Sequence, residues 1–156
     1  MTYYGTGLRL MELIHTKVAD IDGQRSTLKV VAGKGNKDRY VVLAPAVLNL
    51  LREYWQLYRP HDYLFYSGRG MDKPISSSCI TKPFKDAVRS AGVPSGCSLH
   101  SLRHAYATHQ LIAGMPLYEL QNQLGHTDIK TTQRYLHWLP EMGSGARDLL
   151  AGWRIP

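Results

Sequence analysis

Cysteine is scarce in this chain: among 156 residues there are two, Cys79 and Cys97. They stand far apart and flank no Cys-x-x-Cys or Cys/His metal spacing. They read as reduced, structural thiols of a cytosolic protein. No apolar run reaches membrane-spanning length, and the N-terminus lacks a charged-then-apolar leader. A cytoplasmic protein with no membrane partner is therefore expected. Internal repeats and low-complexity segments are missing as well. Negative charge is short: 12 Asp and Glu face 19 Lys and Arg, a formal net charge of +7. An excess of this sign points to an anionic partner, most often nucleic acid or a membrane surface, with simple solubility charge as the alternative. The basic residues are spread along the chain, which favours a folded basic face over a disordered arm.

A chain of 156 residues suits one domain with a real core. Leu8, Met11, Glu12 and Leu13, with Arg9 off the apolar stripe, predict a short helix near the start. Residues 27–31 alternate and are β-branched, so they predict a strand, and 39–43 predict a second. The Gly and Asn content of 32–38 makes the turn between them, giving a β-hairpin with a basic tip. Pro45 opens a helix in which Val47, Leu51, Tyr54, Trp55 and Tyr58 recur at helical spacing, and Pro60 ends it. Residues 63–66 read as a short buried strand or an extended segment, and 67–73 as a loop. Ser76, Ser77 and Ser78 offer N-caps for a helix with Ile80, Phe84, Ala87, Val88 and Ala91 on one face, closed by Gly92. Further helices are expected over 100–113, 116–124 and 128–137, stopped by Gly114, Gly125 and Pro140. A flexible link over 142–145 precedes a short amphipathic piece carrying Leu149, Leu150 and Trp153. The fold class is mainly α with a small antiparallel β-sheet, an α+β domain.

The chemistry gathers between Ser98 and Tyr135. His100 and Arg103 are three residues apart and share one helix face. His126 follows a Leu-Gly break, and Tyr135 comes nine residues later. One Arg, two His and one Tyr are residue types that phosphoryl transfer uses. His100 and His104, four apart, offer a metal pair as a competing reading. The Glu-x-x pattern of a zincin is missing and no third ligand stands nearby, so no metal is expected.

Five boxes in this sequence resemble those of the tyrosine recombinase (phage integrase) family. Gly7-Leu8-Arg9-Leu10-Met11-Glu12-Leu13 resembles its GLR-x-x-E-L box. Gly33-Lys34-Gly35-Asn36-Lys37-Asp38-Arg39 resembles its GKG-x-K-x-R hairpin. His100-Ser101-Leu102-Arg103-His104, with Ala107-Thr108-His109 after it, resembles its H-x-LRH box. Leu124-Gly125-His126 and Tyr135-Leu136-His137 resemble its LGH and Y-x-H boxes. Any one box is weak, whereas five in order are highly specific.

The resemblance implies the catalytic-domain fold of that family and a reaction that cuts and rejoins DNA strands through a covalent 3′-phosphotyrosine link. Arg9 and Arg103 match its two arginines, whose planar forks suit phosphate oxygens; each taken alone also reads as a surface or ion-paired arginine. Tyr135 matches the nucleophile, which needs a base or nearby cations because a free phenol titrates near 10. Lys34 matches the lysine that protonates the leaving 5′-oxygen, with Lys37 as the rival and simple phosphate contact as the alternative for either. His100 matches the general base, and His126 the histidine that hydrogen-bonds a non-bridging oxygen. His104, His109 and His137 are left as structural. Glu12 fits an ion pair that orients an arginine. Tyr106 and Tyr118 read as core or helix-surface tyrosines.

The resemblance further implies double-stranded DNA as partner, a homo-tetramer on DNA when the protein is complete, type IB topoisomerase-like chemistry, no metal or nucleotide cofactor, and a nucleoid-associated location. The whole chain, 1–156, is expected to be the catalytic domain alone, truncated at its N-terminus and without the core-binding domain. Its tail over 141–156 is expected to pack on a neighbour or on its own core. A catalytically inactive DNA-binding fragment, partnering a full-length recombinase, is the alternative function.

Overall fold

Gly7 decides how the chain begins. In the computed structural model, which describes residues 1–31, 38–68, 70–93 and 96–139, α1 (Thr2–Thr6) ends where Gly7 enters the left-handed region at φ 64°. α2 (Leu10–Ile14) starts after Arg9, whose extended backbone caps it. α2 is the short helix expected over Leu8 to Leu13, beginning at Leu10 because Leu8, fully buried, lies in the break after Gly7; α1 is an additional helix. A Cβ on Gly7 would lie 2.4 Å from the Tyr106 ring, so both conformation and space call for glycine.

The expected hairpin is β2 (Thr27–Val30) paired antiparallel with β3 (Arg39–Val42), with Leu28 opposite Val41 and Val30 opposite Arg39. The alternation buries Leu28, Val30 and Val41 and leaves Tyr40 and Val42 on the outer face. Arg39 stands two residues before Val41, so the pleat turns it inward as well. A two-residue strand, β1 (Ile21–Asp22), completes a three-stranded sheet in the order β1-β2-β3. The expected basic tip over 32–37, with Lys34 and Lys37, lies outside the described residues.

The expected loop over 67–73 is corrected to a second small sheet. β4 (Tyr66–Ser67) pairs antiparallel with β5 (Gly70–Pro74). Gly, Met, Asp and Lys carry little strand propensity, so pairing rather than side-chain type makes this strand. Before β4 the chain makes a single bridge, Tyr63 to Lys17, between bends, and Leu64 is buried with its N–H donating to the Thr16 carbonyl.

α3 (Pro45–Tyr58) has Pro in its first turn and buries Val47, Leu48 and Leu51 against the three-stranded sheet's cluster. Trp55 and Tyr58, expected on its buried stripe, are exposed. α4 (Ser77–Ser90) lies at the periphery, with Ile80 and Phe84 half-buried against the same cluster. α5 (Leu99–Ile112) buries Leu99, Arg103, Tyr106 and Ala107, a stripe at i, i+4, i+7 and i+8.

α6 (Leu117–Leu124) ends at Gly125, φ 67°. There the Gly125 N–H reaches the Asn122 carbonyl and the His126 N–H reaches the Gln121 carbonyl. Those two bonds form a Schellman stop. α7 (Ile129–Gln133) is capped by Asp128 and is shorter than expected, because the chain tightens into a 3₁₀ turn over Arg134–Trp138. A second cluster of Tyr106, Ala107, Leu120, Leu124 and Tyr135 holds these elements together. Among the described residues no helix is long and apolar enough to cross a membrane. Pro140, the expected link over 142–145, and Leu149, Leu150 and Trp153 lie outside the described residues.

Candidate active site

Arg103 lies in the core-facing stripe of α5 and is 1% exposed. A buried guanidinium is costly unless its donors are used. Here they are: Nη1 donates to the Gly7 carbonyl, Nη2 donates to the Leu124 carbonyl at 2.7 Å, and Nη2 lies 3.2 Å from His126 Nε2. Gly7 caps α1 and Leu124 closes α6, so both acceptors are carbonyls that a terminating helix leaves unpaired. Burial and the Arg9 charge bring the Arg103 pKa down to about 10, still protonated at neutral pH.

Glu12 is the anchor for two further arginines. It accepts the Arg9 backbone N–H at 2.7 Å and Arg9 Nη1 at 2.9 Å. Arg39 grips the same carboxylate with Nη1 and Nη2 at 2.9 and 2.8 Å. Burial alone would raise this carboxyl, but the hydrogen bonds from Arg39 and from the Arg9 backbone hold it at about 2. Arg39 Nε continues to the Gln123 carbonyl at 3.2 Å, and Arg9 Nη2 to the Gly125 carbonyl at 3.2 Å. The Gln123 side chain in turn pairs with the backbone N–H and carbonyl of Val42, at 2.9 and 3.1 Å, like an added strand rung. These bonds fix the end of α6 on the edge of β3. Three arginines against one glutamate leave this cluster with an uncompensated positive charge.

His126 follows the stop of α6. Its Nδ1 is 2.9 Å from Thr132 Oγ1, and Gln121 donates to its carbonyl at 3.0 Å. Burial, then the charges of Arg103, Arg9 and Arg39, push its pKa down to about 4, so the ring is neutral at pH 7. The Tyr135 ring, held in the 3₁₀ turn and 5% exposed, lies parallel to His126 at 6.3 Å and 14°. Burial raises the Tyr135 phenol above its ordinary pKa, while Arg103 and Arg9 pull it back.

His100 is exposed on the edge of α5, and its ring meets His104 edge-on at 4.4 Å. Burial, His104, Arg103 and Arg9 lower the His100 pKa. The His104 ring, left as structural by the sequence, also meets Tyr135, at 5.4 Å. The structure thus brings Arg9, Arg103, His126 and Tyr135 into one cluster and puts His104 in contact with both His100 and Tyr135. Lys34 lies outside the described residues. His109 hydrogen-bonds Tyr4, Nδ1 to Oη 2.6 Å, and joins α5 to α1. Tyr106 is buried and Tyr118 exposed. Among the described residues no group of three His, Cys, Asp or Glu side chains is placed to hold a metal ion.

Two residues of the cluster carry no role in the sequence reading: Arg39 and Thr132. Arg39 has a signal, its alternation with Val41, which turns it inward. Thr132 has none, because its partner is six residues away, before the start of α7.

A mostly helical domain with this arginine, histidine and tyrosine cluster has the catalytic-domain fold of tyrosine recombinases. The model of the phage integrase family matches residues 1–142, and the chain belongs to that family. It is 38% identical over 143 residues to the tyrosine recombinase XerC of Lactobacillus leichmannii, covering 86% of this chain and 48% of that protein. The crystal structure of XerA recombinase superposes with a TM-score of 0.77 at 35% identity, covering 90% of this chain and 52% of that one. XerH site-specific recombinase bound to its difH substrate superposes with a TM-score of 0.72 at 26% identity, covering 85% and 40% of the two chains. The chain spans about half the length of the curated relatives it matches.

Proposed function

We propose that the chain is the catalytic domain of a site-specific DNA recombinase that cuts a strand through Tyr135. The observation that carries this reading is the uncompensated positive charge of Arg9, Arg39 and Arg103 around Glu12, beside a buried tyrosine. A phosphodiester is an anion whose transition state spreads more charge over its non-bridging oxygens, and fixed guanidinium donors stabilise that charge. Arg9 keeps an exposed side chain, so its remaining N–H donors face outward toward such an oxygen. Arg103 and His126 supply donors from the buried side.

In the proposed step Tyr135 Oη attacks phosphorus and the bond to the 5′-oxygen breaks. The phenol proton passes to His100, a neutral base at pH 7, and Lys34 gives a proton to the leaving 5′-oxygen. The 3′-phosphotyrosine link conserves the bond energy, so a 5′-hydroxyl of the same or a partner strand reverses the step. Rejoining the same strand relaxes supercoils, as a type IB topoisomerase does. Double-stranded DNA is the partner, and the complete protein works as a homo-tetramer that brings two sites together. The XerH site-specific recombinase bound to its difH substrate and the Tn1549 transposon integrase in complex with a circular intermediate DNA support this partner class.

The test is a suicide-substrate cleavage assay. The chain is mixed with nicked duplex from its native flanking DNA, with and without EDTA, beside Tyr135→Phe. A covalent protein–DNA band that survives EDTA and is lost in the variant supports the reading. DNA binding with no band in the parent points instead to a DNA-binding partner of a full-length recombinase.

A further inference from the structure

Both ring nitrogens of His126 are engaged. Nδ1 lies 2.9 Å from Thr132 Oγ1, and Nε2 lies 3.2 Å from Arg103 Nη2. In a neutral imidazole one nitrogen donates and the other accepts, and the partner of one fixes the other. Arg103 has only donors. In the free chain Nε2 therefore accepts from Arg103, and the ring proton sits on Nδ1, donated to Thr132 Oγ1.

That arrangement leaves the Thr132 hydroxyl proton unused. Thr132 is fully buried, and among the described residues its Oγ1 meets no hydrogen-bond partner other than His126. A buried hydroxyl proton without an acceptor carries a desolvation cost. The opposite tautomer removes that cost, because the hydroxyl then donates to Nδ1. It creates another, because Nε2–H now opposes an N–H of Arg103. An acceptor between those two donors relieves this conflict. A non-bridging phosphate oxygen is such an acceptor, taking one hydrogen bond from Arg103 and one from His126.

We propose that Thr132 is a positioning residue that reverses its hydrogen bond with His126 when a phosphodiester enters the site. His126 accepts from Arg103 in the free chain and donates from Nε2 to the phosphate in the complex. The proton balance is closed: Nδ1 releases one proton to water, Nε2 takes one from water, and the hydroxyl turns about its C–O bond. The groups facing the ring are Arg103, Arg9, Arg39 and His100, with Tyr135 stacked on it, and all four cations or potential cations disfavour a charged imidazole. The free ring is therefore neutral, and the reversal moves its one proton from Nδ1 to Nε2. A hydroxyl is the partner this requires. A carboxylate or carbonyl at that point would lock the proton on Nδ1, and a backbone N–H would lock it on Nε2, whereas a hydroxyl both donates and accepts without moving. The proposal rests on the phosphodiester reading of the site and adds how the free site stores its donor.

The test uses the full chain with ¹⁵N-labelled histidine, the parent beside Thr132→Ser and the near-isosteric Thr132→Val. Ring-nitrogen spectra at pH 7.5 are recorded without and with inorganic phosphate, and His126→Gln assigns the signals. The expected result is Nδ1–H in the free parent and Nε2–H with phosphate, the same exchange in the serine variant, and in the valine variant Nδ1–H when free, with an exchange that needs more phosphate because nothing donates to Nδ1. Nε2–H in the free parent overturns the proposal, as does a valine variant that exchanges like the parent. Phosphate that leaves the His126 signals unmoved overturns the phosphodiester reading and the reversal with it.

Single-turnover cleavage of nicked DNA at saturating protein gives the second readout. Thr132→Val is expected to lose about 100-fold in rate, the scale of one lost oxyanion donor, with its DNA Kd unchanged and serine close to the parent. Equal losses in rate and Kd for both variants overturn the proposal in favour of packing. A parent without covalent product refutes strand transfer, while the spectra still decide what Thr132 does.

Discussion

Arg39 and Glu12 meet fork to fork, with Nη1 2.9 Å from Oε1 and Nη2 2.8 Å from Oε2. This pair joins the strand leaving the hairpin to the helix that Arg9 caps. The same carboxylate holds the Arg9 backbone and guanidinium, so one glutamate orients both ends of the cationic cluster. Arg39 is also the wall against which Gly125 turns, and His126 follows that turn. The geometry of three boxes therefore depends on one ion pair.

Glu12→Gln tests this dependence through pH. The carboxyl is held near 2 in the folded chain, below its ordinary value of 4.5. A depressed carboxylate contributes stability that is complete above its unfolded pKa and is lost as pH falls through the folded one. The variant is expected to be less stable than the parent by about 1–3 kcal/mol at pH 7. The difference should shrink below pH 4.5 and be small near pH 2, where the parent carboxyl is half protonated. Urea denaturation of both chains across that range checks the sign, and a difference as large at pH 2 as at pH 7 refutes it.

Arg39→Lys keeps the charge and loses the fork. A lysine cannot grip both Glu12 oxygens and reach the Gln123 carbonyl together. A stability loss of about 1–2 kcal/mol is expected in denaturant titration, with a larger fall in cleavage than in DNA affinity because Arg9 loses its fixed carboxylate. An unchanged cleavage rate would show that Glu12 orients Arg9 without help.

Gly125→Ala tests the turn before His126. The residue sits at φ 67°, where a Cβ costs about 1–2 kcal/mol. The added carbon would also lie 2.7 Å from the Arg39 guanidinium, so either the turn or Arg39 must move. The expected outcome is a thermal midpoint lowered by several degrees and a cleavage rate lowered further than that loss explains. Full activity in a destabilised variant would separate the turn from the chemistry.

The sequence made the family boxes legible because each carries a fixed spacing. Arg9, Arg103, His126 and Tyr135 could be named before any geometry. Helix periodicity likewise placed α3 to α6, and Gly125 marked a stop that the structure builds as a Schellman turn. What spacing along the chain does not encode is pairing across it. Arg39 meets Glu12 from 27 residues away, and nothing in either segment names the other. α1 is not legible because Thr2–Thr6 is too short to show an apolar stripe, and the left-handed Gly7 that stops it leaves no mark on periodicity. The residues of β5 read as a loop because its strand character comes from its partner and not from its side chains. His104 and Thr132 were passed over for a similar reason: their significance comes from the rings beside them.

The pH–rate profile of cleavage follows from the proposed roles. His100, as the base, must be neutral to take the Tyr135 proton, and its pKa lies below 6.5 through burial and the charges of His104, Arg103 and Arg9. His126, near 4, is already neutral above pH 5 and adds no limb there. The Tyr135 phenol is raised above 10 by burial, so it stays protonated across the working range and depends on a base. The single-turnover rate is therefore expected to rise with pH through a midpoint below 6.5 and then stay level to about pH 9. His100→Gln should lower the plateau and remove the rising limb, while leaving DNA affinity intact. A limb with an unchanged midpoint in that variant would move the base to His104, whose ring touches both His100 and Tyr135. The same measurement on His104→Gln would then lose the limb that His100→Gln kept, and the comparison of the two variants assigns the proton acceptor.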